Sequence, residues 1–188
     1  FEQDLILAIE HEKQHQELIV MDTKYILSLG IDLIENGKRF DQFSTTPRDI
    51  NQRYQNFEGG IIDVGHQGGG FCFDNELPCH EQLIRPFEIK NTLVTNGDYN
   101  EFLQSKSYNN PSTWLSDGWD WKEKYKIDNP LYWFKEDDQY FENFFGQRIS
   151  LDPNSPVSHI SYYEADAYAR FLGQRLPSEF ELELFFKK

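Results

Sequence analysis

The stretch PVSHISYYEADAYARFLGQRLPSEFELE, residues 156–183, decides how the chain is read. Ser161 and Glu164 make the S-x-x-E pattern of a capping box, in which each side chain satisfies a backbone N–H of the other residue. The helix that starts there runs to Gly173, whose missing Cβ suits the left-handed stop after a helix. Ser178 and Glu181 repeat the pattern, so a second helix begins within LPSEFELEL, residues 176–184. What precedes is different. GIIDVG (60–65), GFCFD (70–74) and LIRPFEIKNTLV (83–94) read as short strands punctuated by Gly and Pro. TNGDYNEFLQS (95–105) reads as a short helix capped by Thr95 or Asn96. Residues 106–146 are rich in Trp, Tyr, Asp and Asn and have little periodicity, as in WLSDGWDW (114–121) and NPLYWF (129–134). Residues 58–188 are therefore expected to form an irregular α+β module held by aromatic packing rather than by a large regular sheet.

The other end of the chain is helical. Residues 2–29 read as one long helix with Gly30 as its stop. Its apolar runs, LILAI (5–9), LIVM (18–21) and YILSL (25–29), flank a polar centre, EHEKQHQE (10–17). If that helix is buried, the polar centre needs partners, and a metal would supply them. DQFSTTPRDINQRYQNFEGG (41–60) is polar and weakly periodic, the mark of a connecting segment. The expected division is a helical element over 1–40, a linker over 41–57 and the α+β module over 58–188.

Composition bounds the function. The chain has 188 residues, of which 38% are hydrophobic and 16% aromatic, enough for a core. Its net charge of −14 argues against nucleic acid and against an anionic membrane surface, both of which need a basic footprint. No run approaches the ~18 apolar residues of a membrane span, and no secretory signal is visible, so a cytoplasmic location is expected. The chain opens inside a helix without an initiator Met and closes just after another helix begins, which points to an internal slice of a longer protein. Cys72 and Cys79 have neither metal-site nor disulfide-framework spacing and are expected to be reduced thiols.

His11 and His15 are the candidate metal ligands, the alternative being two ordinary solvated or core-edge histidines. Residues four apart on a helix lie on one face, one turn apart, so both imidazoles reach one ion. The helix offers no third donor. Glu17 lies roughly 120° round from His11, and Asp4 and Asp22 share the face but sit roughly 10 Å along the axis from the nearer histidine. The third ligand has to come from another segment. HEKQH (11–15) also satisfies H-E-x-x-H, in which Glu12 would be the base of a zinc protease. His66, His80 and His159 share no spacing with other ligand-type residues; a structural hydrogen bond is the expectation for His80. GHQGGG (65–70) lacks the Lys-Ser/Thr of a phosphate loop and reads as a tight turn.

HEKQHQEL (11–18), FDNELPCH (73–80), VTNGDYNEFL (94–103) and the stretch 156–183 together resemble the sulfoxide synthases of ergothioneine biosynthesis. The resemblance covers nearly the whole chain. It implies the C-terminal helix of a DinB-like four-helix bundle followed by part of a domain like the formylglycine-generating enzymes, with a C-type-lectin-like fold. It implies Fe(II) as cofactor, His11 and His15 as metal ligands, a third histidine upstream of residue 1, and Gln14 as a contact for the substrate hercynine. The reaction implied joins a thiol, γ-glutamylcysteine or cysteine, to hercynine with O2 as oxidant, and the slice by itself is expected to be inactive. Trp114, Trp119, Trp121 and Trp133 could face the trimethylammonium group, although core positions suit them better. The resemblance disfavours the protease reading. Other readings are an ovothiol-type 5-histidylcysteine sulfoxide synthase, a DinB-like thiol transferase using another divalent metal, and a non-catalytic formylglycine-generating-like binding module.

Overall fold

A computed structural model describes residues 2–30 and 53–187. In chain order the elements are α1 (Glu2–Ser28), β1 (Tyr54–Phe57), β2 (Gly60–Val64), β3 (His80–Ile84), β4 (Phe87–Lys90), α2 (Asn96–Gln104), α3 (Ser116–Tyr125), β5 (Trp133–Glu136), β6 (Gln139–Phe144), β7 (Gln147–Ser150), α4 (Tyr162–Phe171) and α5 (Glu179–Phe186). The fold is α+β. Tyr54–Phe57, which the sequence assigns to the connecting segment 41–57, form a strand paired with β4 because Phe57 lies opposite Phe87 in the register. Most of that segment lies outside the described residues, as do residues 31–40 of the helical element.

The chain divides into two compact units. One comprises Phe1–Val20, Gln52–Asn91 and Pro177–Lys188. In it β1 pairs antiparallel with β4, and β2 pairs antiparallel with β3 from Gly60↔Ile84 to Val64↔His80. Its buried apolar side chains among the described residues are Phe57, Val64 and Ile84. Phe57 stacks on Phe87 at 4.8 Å between ring centroids and meets Phe185 of α5 at 6.2 Å. Polar ties hold α5 to the β2 side. Glu183 Oε1 accepts from the Gly65 N–H at 2.7 Å, and Lys187 Nζ donates to the Asp63 carbonyl at 2.8 Å. His80 Nδ1 donates to the Pro78 carbonyl at 3.0 Å, and its ring packs edge-on against Phe180 at 6.2 Å.

The other unit comprises Met21–Asn51 and Thr92–Leu176. Its core is aromatic: Tyr99 and Phe102 of α2, Tyr108, Trp114, Trp133 of β5, and Ala167 and Tyr168 of α4. Tyr99 stacks on Tyr168 at 5.4 Å, while Phe102 meets Tyr108 and Tyr168 edge-on. Such edge and offset contacts match the ring quadrupole and add to plain area burial. Trp114 and Trp133 are core residues, and Trp119 and Trp121 pack on the cluster partly buried. β5, β6 and β7 form an antiparallel meander beside it. α2, α4 and α5 start where side chains cap them. Thr95 with Asp98, Ser161 with Glu164 and Ser178 with Glu181 all form reciprocal boxes.

Two close approaches test this packing. Glu164 is 2% exposed, and its two oxygens accept from Ser161 N at 2.7 Å and from the Tyr108 hydroxyl at 2.9 Å. Glu164→Ala orphans both donors, though the Ser161 Oγ still caps the backbone N–H of residue 164, so a loss of about 2–3 kcal/mol in chemical denaturation is expected. Gly118 of α3 has no room for a side chain, since a Cβ there would stand 2.8 Å from Tyr163 Cβ and Cγ. Gly118→Ala should cost about 1–3 kcal/mol by the same measurement, whereas Gly69→Ala, with nothing within 4 Å, should stay within about 0.5 kcal/mol of the parent.

Candidate metal-binding helix and an adjoining polar cluster

α1 contains no Pro or Gly over Glu2–Ser28, and its first turn carries Glu2 and Asp4, which favour the positive end of the helix dipole. His11 and His15 stand one turn apart on it, with ring centroids 4.5 Å apart and planes at 87°. Gln14 lies between them in sequence, and beside them Lys13 Nζ pairs with Glu10 Oε1 at 2.7 Å. The buried polar belt expected from the sequence is not what forms. Residues 11–22 are exposed, and so are flanking apolar side chains, with Ile19 at 63% and Met21 at 58%. Burial therefore lends the metal reading no support, which leaves the spacing of the two rings. Neutral imidazoles are donors that suit iron, zinc and copper, so the pair fits a metal as part of a shell. Among the described residues no group of three His, Cys, Asp or Glu is placed to hold one.

The remaining histidines and cysteines lie elsewhere. Cys72 and Cys79 are free thiols, and Gln67 Nε2 donates to Cys79 Sγ at 3.1 Å. His66 Nε2 is buried and has no hydrogen-bond partner among the described residues. A cavity of about 650 Å³ in the second unit is bordered by Trp121, Asp128, Tyr132, Trp133, His159 and Glu164.

One cluster escaped the sequence reading. Lys24, near the C-terminal end of α1, is 7% exposed. Its Nζ donates to Glu142 Oε1 at 2.8 Å and to His159 Nε2 at 2.9 Å. The rings of Tyr132 and Phe144 lie 4.7 Å and 5.5 Å from the same nitrogen. Burial, followed by the Lys24 charge, pulls the His159 imidazole below its ordinary value, and Glu142 opposes them. The only local sign of this in the sequence is a lysine in an apolar turn.

Residues 39–185 match the family described as "Sulfatase-modifying factor enzyme 1-like domain". The chain belongs to this family. It is also similar to proteins named "Hercynine oxygenase". The one from Mycolicibacterium smegmatis is 34% identical over 179 residues, covering 94% of this chain and 40% of the relative. The one from Mycolicibacterium thermoresistibile is 32% identical over 123 residues, covering 65% of this chain and 27% of the relative. "Ergothioneine biosynthesis protein 1" of Schizosaccharomyces pombe is 31% identical over 123 residues, covering 63% of this chain and 13% of that protein. The chain thus spans two fifths or less of the length of the hercynine oxygenases it matches. The family match leaves out His11 and His15, whereas the 94% overlap with the mycobacterial relative includes at least one of them whichever end it omits. No helix among the described residues is long and apolar enough to cross a membrane.

The lowered value of His159 has a sign that can be tested. A depressed imidazole contributes stability that is fully present above its unfolded value, near 6.5, and lost as pH falls through the folded value. In an NMR titration His159 should therefore titrate below pH 6.5. Its ring should carry the proton on Nδ1 at neutral pH, since Lys24 can only donate to Nε2.

Proposed function

We propose that this chain is part of an Fe(II)- and O2-dependent sulfoxide synthase that joins a thiol to hercynine in ergothioneine biosynthesis. The observation that carries the reading is the helical pair His11 and His15, presented one turn apart at 4.5 Å in a chain similar to hercynine oxygenases. In this reading residues 1–40 belong to a DinB-like bundle, and a further histidine outside the described residues completes the metal site.

The reaction balances without another reductant. A thiol RSH, the imidazole C–H of hercynine and O2 give a C–S(=O) product and one water. Two of the four electrons taken by O2 come from forming the C–S bond, and two from oxidising sulfur. Bound Fe(II) would supply O2 activation and a meeting point for the thiolate and the substrate imidazole. His11 and His15 would hold it as neutral donors, which requires both to be deprotonated at one nitrogen and makes metal affinity fall at acid pH. Gln14 lies about 60° round the helix from His11. Its amide both donates and accepts, which suits it to orient the imidazole of hercynine beside the metal-facing side. γ-Glutamylcysteine or cysteine is the thiol proposed, and the protein is proposed to act in the cytoplasm.

The test is reconstitution of the full-length protein with Fe(II), hercynine and each thiol in air, followed by mass spectrometry for the sulfoxide. Product is expected with one of the thiols. His11→Ala and His15→Ala should each lower its formation by more than the roughly 10–100-fold typical of losing an outer partner of a metal site. Gln14→Ala should raise the KM for hercynine while leaving iron content unchanged. Fully iron-loaded protein that forms no sulfoxide would overturn the reading.

A further inference from the structure

Two loops of the second unit border the cavity of about 650 Å³. One runs from the end of α3 to the start of β5 and supplies Asp128, Tyr132 and Trp133. The other precedes α4 and supplies His159. Trp121 of α3 adds a further ring to the wall. Every residue on the border belongs to the second unit. A space of this size with mostly apolar walls and a few polar groups is the form that small-molecule sites take.

The rim is braced. Asn129 Nδ2 donates to the Pro130 carbonyl at 3.1 Å and to the Trp133 carbonyl at 2.7 Å. The Leu131 N–H donates to the His159 carbonyl at 3.2 Å, which ties one loop to the other, and the Tyr132 and His159 rings meet edge-on at 4.9 Å. Tyr132 and His159 hold φ of +72 and +58, in the left-handed region that bulky side chains rarely adopt. Lys126, at φ +54, is the ordinary left-handed stop of α3, but the other two end no helix. Backbone in this conformation costs free energy, and it gathers at ligand sites, where it keeps a wall fixed.

The charges on the wall define what it can hold. Glu164 is engaged on both oxygens, by the Ser161 N–H and the Tyr108 hydroxyl. His159 Nε2 accepts from Lys24 Nζ, which also donates to Glu142, so that imidazole is neutral and that ammonium is already paired. Asp128 is different. Its side chain is exposed, and among the described residues its carboxylate makes no hydrogen bond or ion pair. The remaining charge, Lys126, is exposed on a long stem that lets its ammonium stay in water. A free carboxylate beside the half-buried Trp121 ring is a combination that draws an organic cation from water: the carboxylate matches its charge, and the ring replaces part of its hydration.

We infer that this cavity is a binding site for a small organic cation, an ammonium group on an apolar or aromatic body, with Asp128 as its counter-ion and Trp121 as the ring against which it packs. Neither the reaction proposed above nor a metal at His11 and His15 is needed for it.

The full-length protein, kept free of iron, is titrated calorimetrically at neutral pH with two probes. Phenethylamine is an ammonium ion under these conditions, and 2-phenylethanol has the same body without the charge. Phenethylamine should bind saturably and about tenfold more tightly than the alcohol. Asp128→Asn keeps the size of the side chain and removes its charge, so it should weaken phenethylamine about tenfold and leave the alcohol unchanged. Trp121→Leu should weaken both probes. Lys126→Met removes the opposing charge, and phenethylamine should bind it at least as tightly as the parent. Asp128 is exposed, so its variant carries the test if Trp121→Leu does not fold. No saturable binding of phenethylamine by the parent overturns the inference. So does equal binding of amine and alcohol, which would leave only an apolar cavity. Parent-like binding in Asp128→Asn, or in a folded Trp121→Leu, puts the amine elsewhere and overturns it as well. Weaker binding in Lys126→Met would mean recognition through an anion, and the cation assignment would fall. Because no iron is present, these outcomes stand apart from whether sulfoxide forms.

Discussion

The carboxylate of Glu164 ties the aromatic unit together. One oxygen takes the Ser161 N–H and so starts α4; the other takes the Tyr108 hydroxyl and draws the turn at residues 107–109 against that helix. Around this pair stand Tyr99, Phe102, Trp114, Trp133 and Tyr168. Burial pushes the Glu164 carboxyl up, and the hydrogen bonds from Ser161 and Tyr108 work against that rise. An acid held this way makes folding more favourable when protonated, so this group's contribution weakens as pH rises from its unfolded value through its folded one. The aromatic packing has to exceed that cost at neutral pH. The edge and offset contacts between the rings provide for this, since each buried ring removes a large apolar area from water.

Short elements explain why polar ties recur throughout. Strands of four to six residues and helices of eight to ten cannot bury a wide apolar face. Their ends lie close together, and every end leaves backbone groups to satisfy. The three capping boxes and the Glu183–Gly65 bond meet that need locally or across one contact. Lys122 belongs to the same pattern. It is 4% exposed, with its Nζ lying 5.1 Å from the Trp119 ring and 5.5 Å from the Tyr108 ring. A cation can be tolerated at the margin of an aromatic core because the rings present their negative faces to it.

α1 joins two kinds of surface in one element. Its histidine pair is open to solvent, while its last turns are held by Lys24, Leu27 and Ser28. An exposed helix this apolar gains little from propensity alone. The grip at its end is therefore the part of α1 whose stabilisation can be traced to named contacts.

The parts legible in the sequence are those written at short range. Ser161 with Glu164 and Ser178 with Glu181 lie three residues apart, so their boxes, and the helices that follow them, could be read directly. The spacing of His11 and His15 likewise determined that the two rings share a helix face, because helical periodicity is local. Tertiary structure alone decided the rest. It turned the presumed buried belt of α1 out to solvent, since burial depends on what packs nearby and not on the pattern of the helix itself. It also brought Lys24 to Glu142 and His159, 118 and 135 positions away, where no spacing rule operates and only the folded chain can bring a donor to its acceptors.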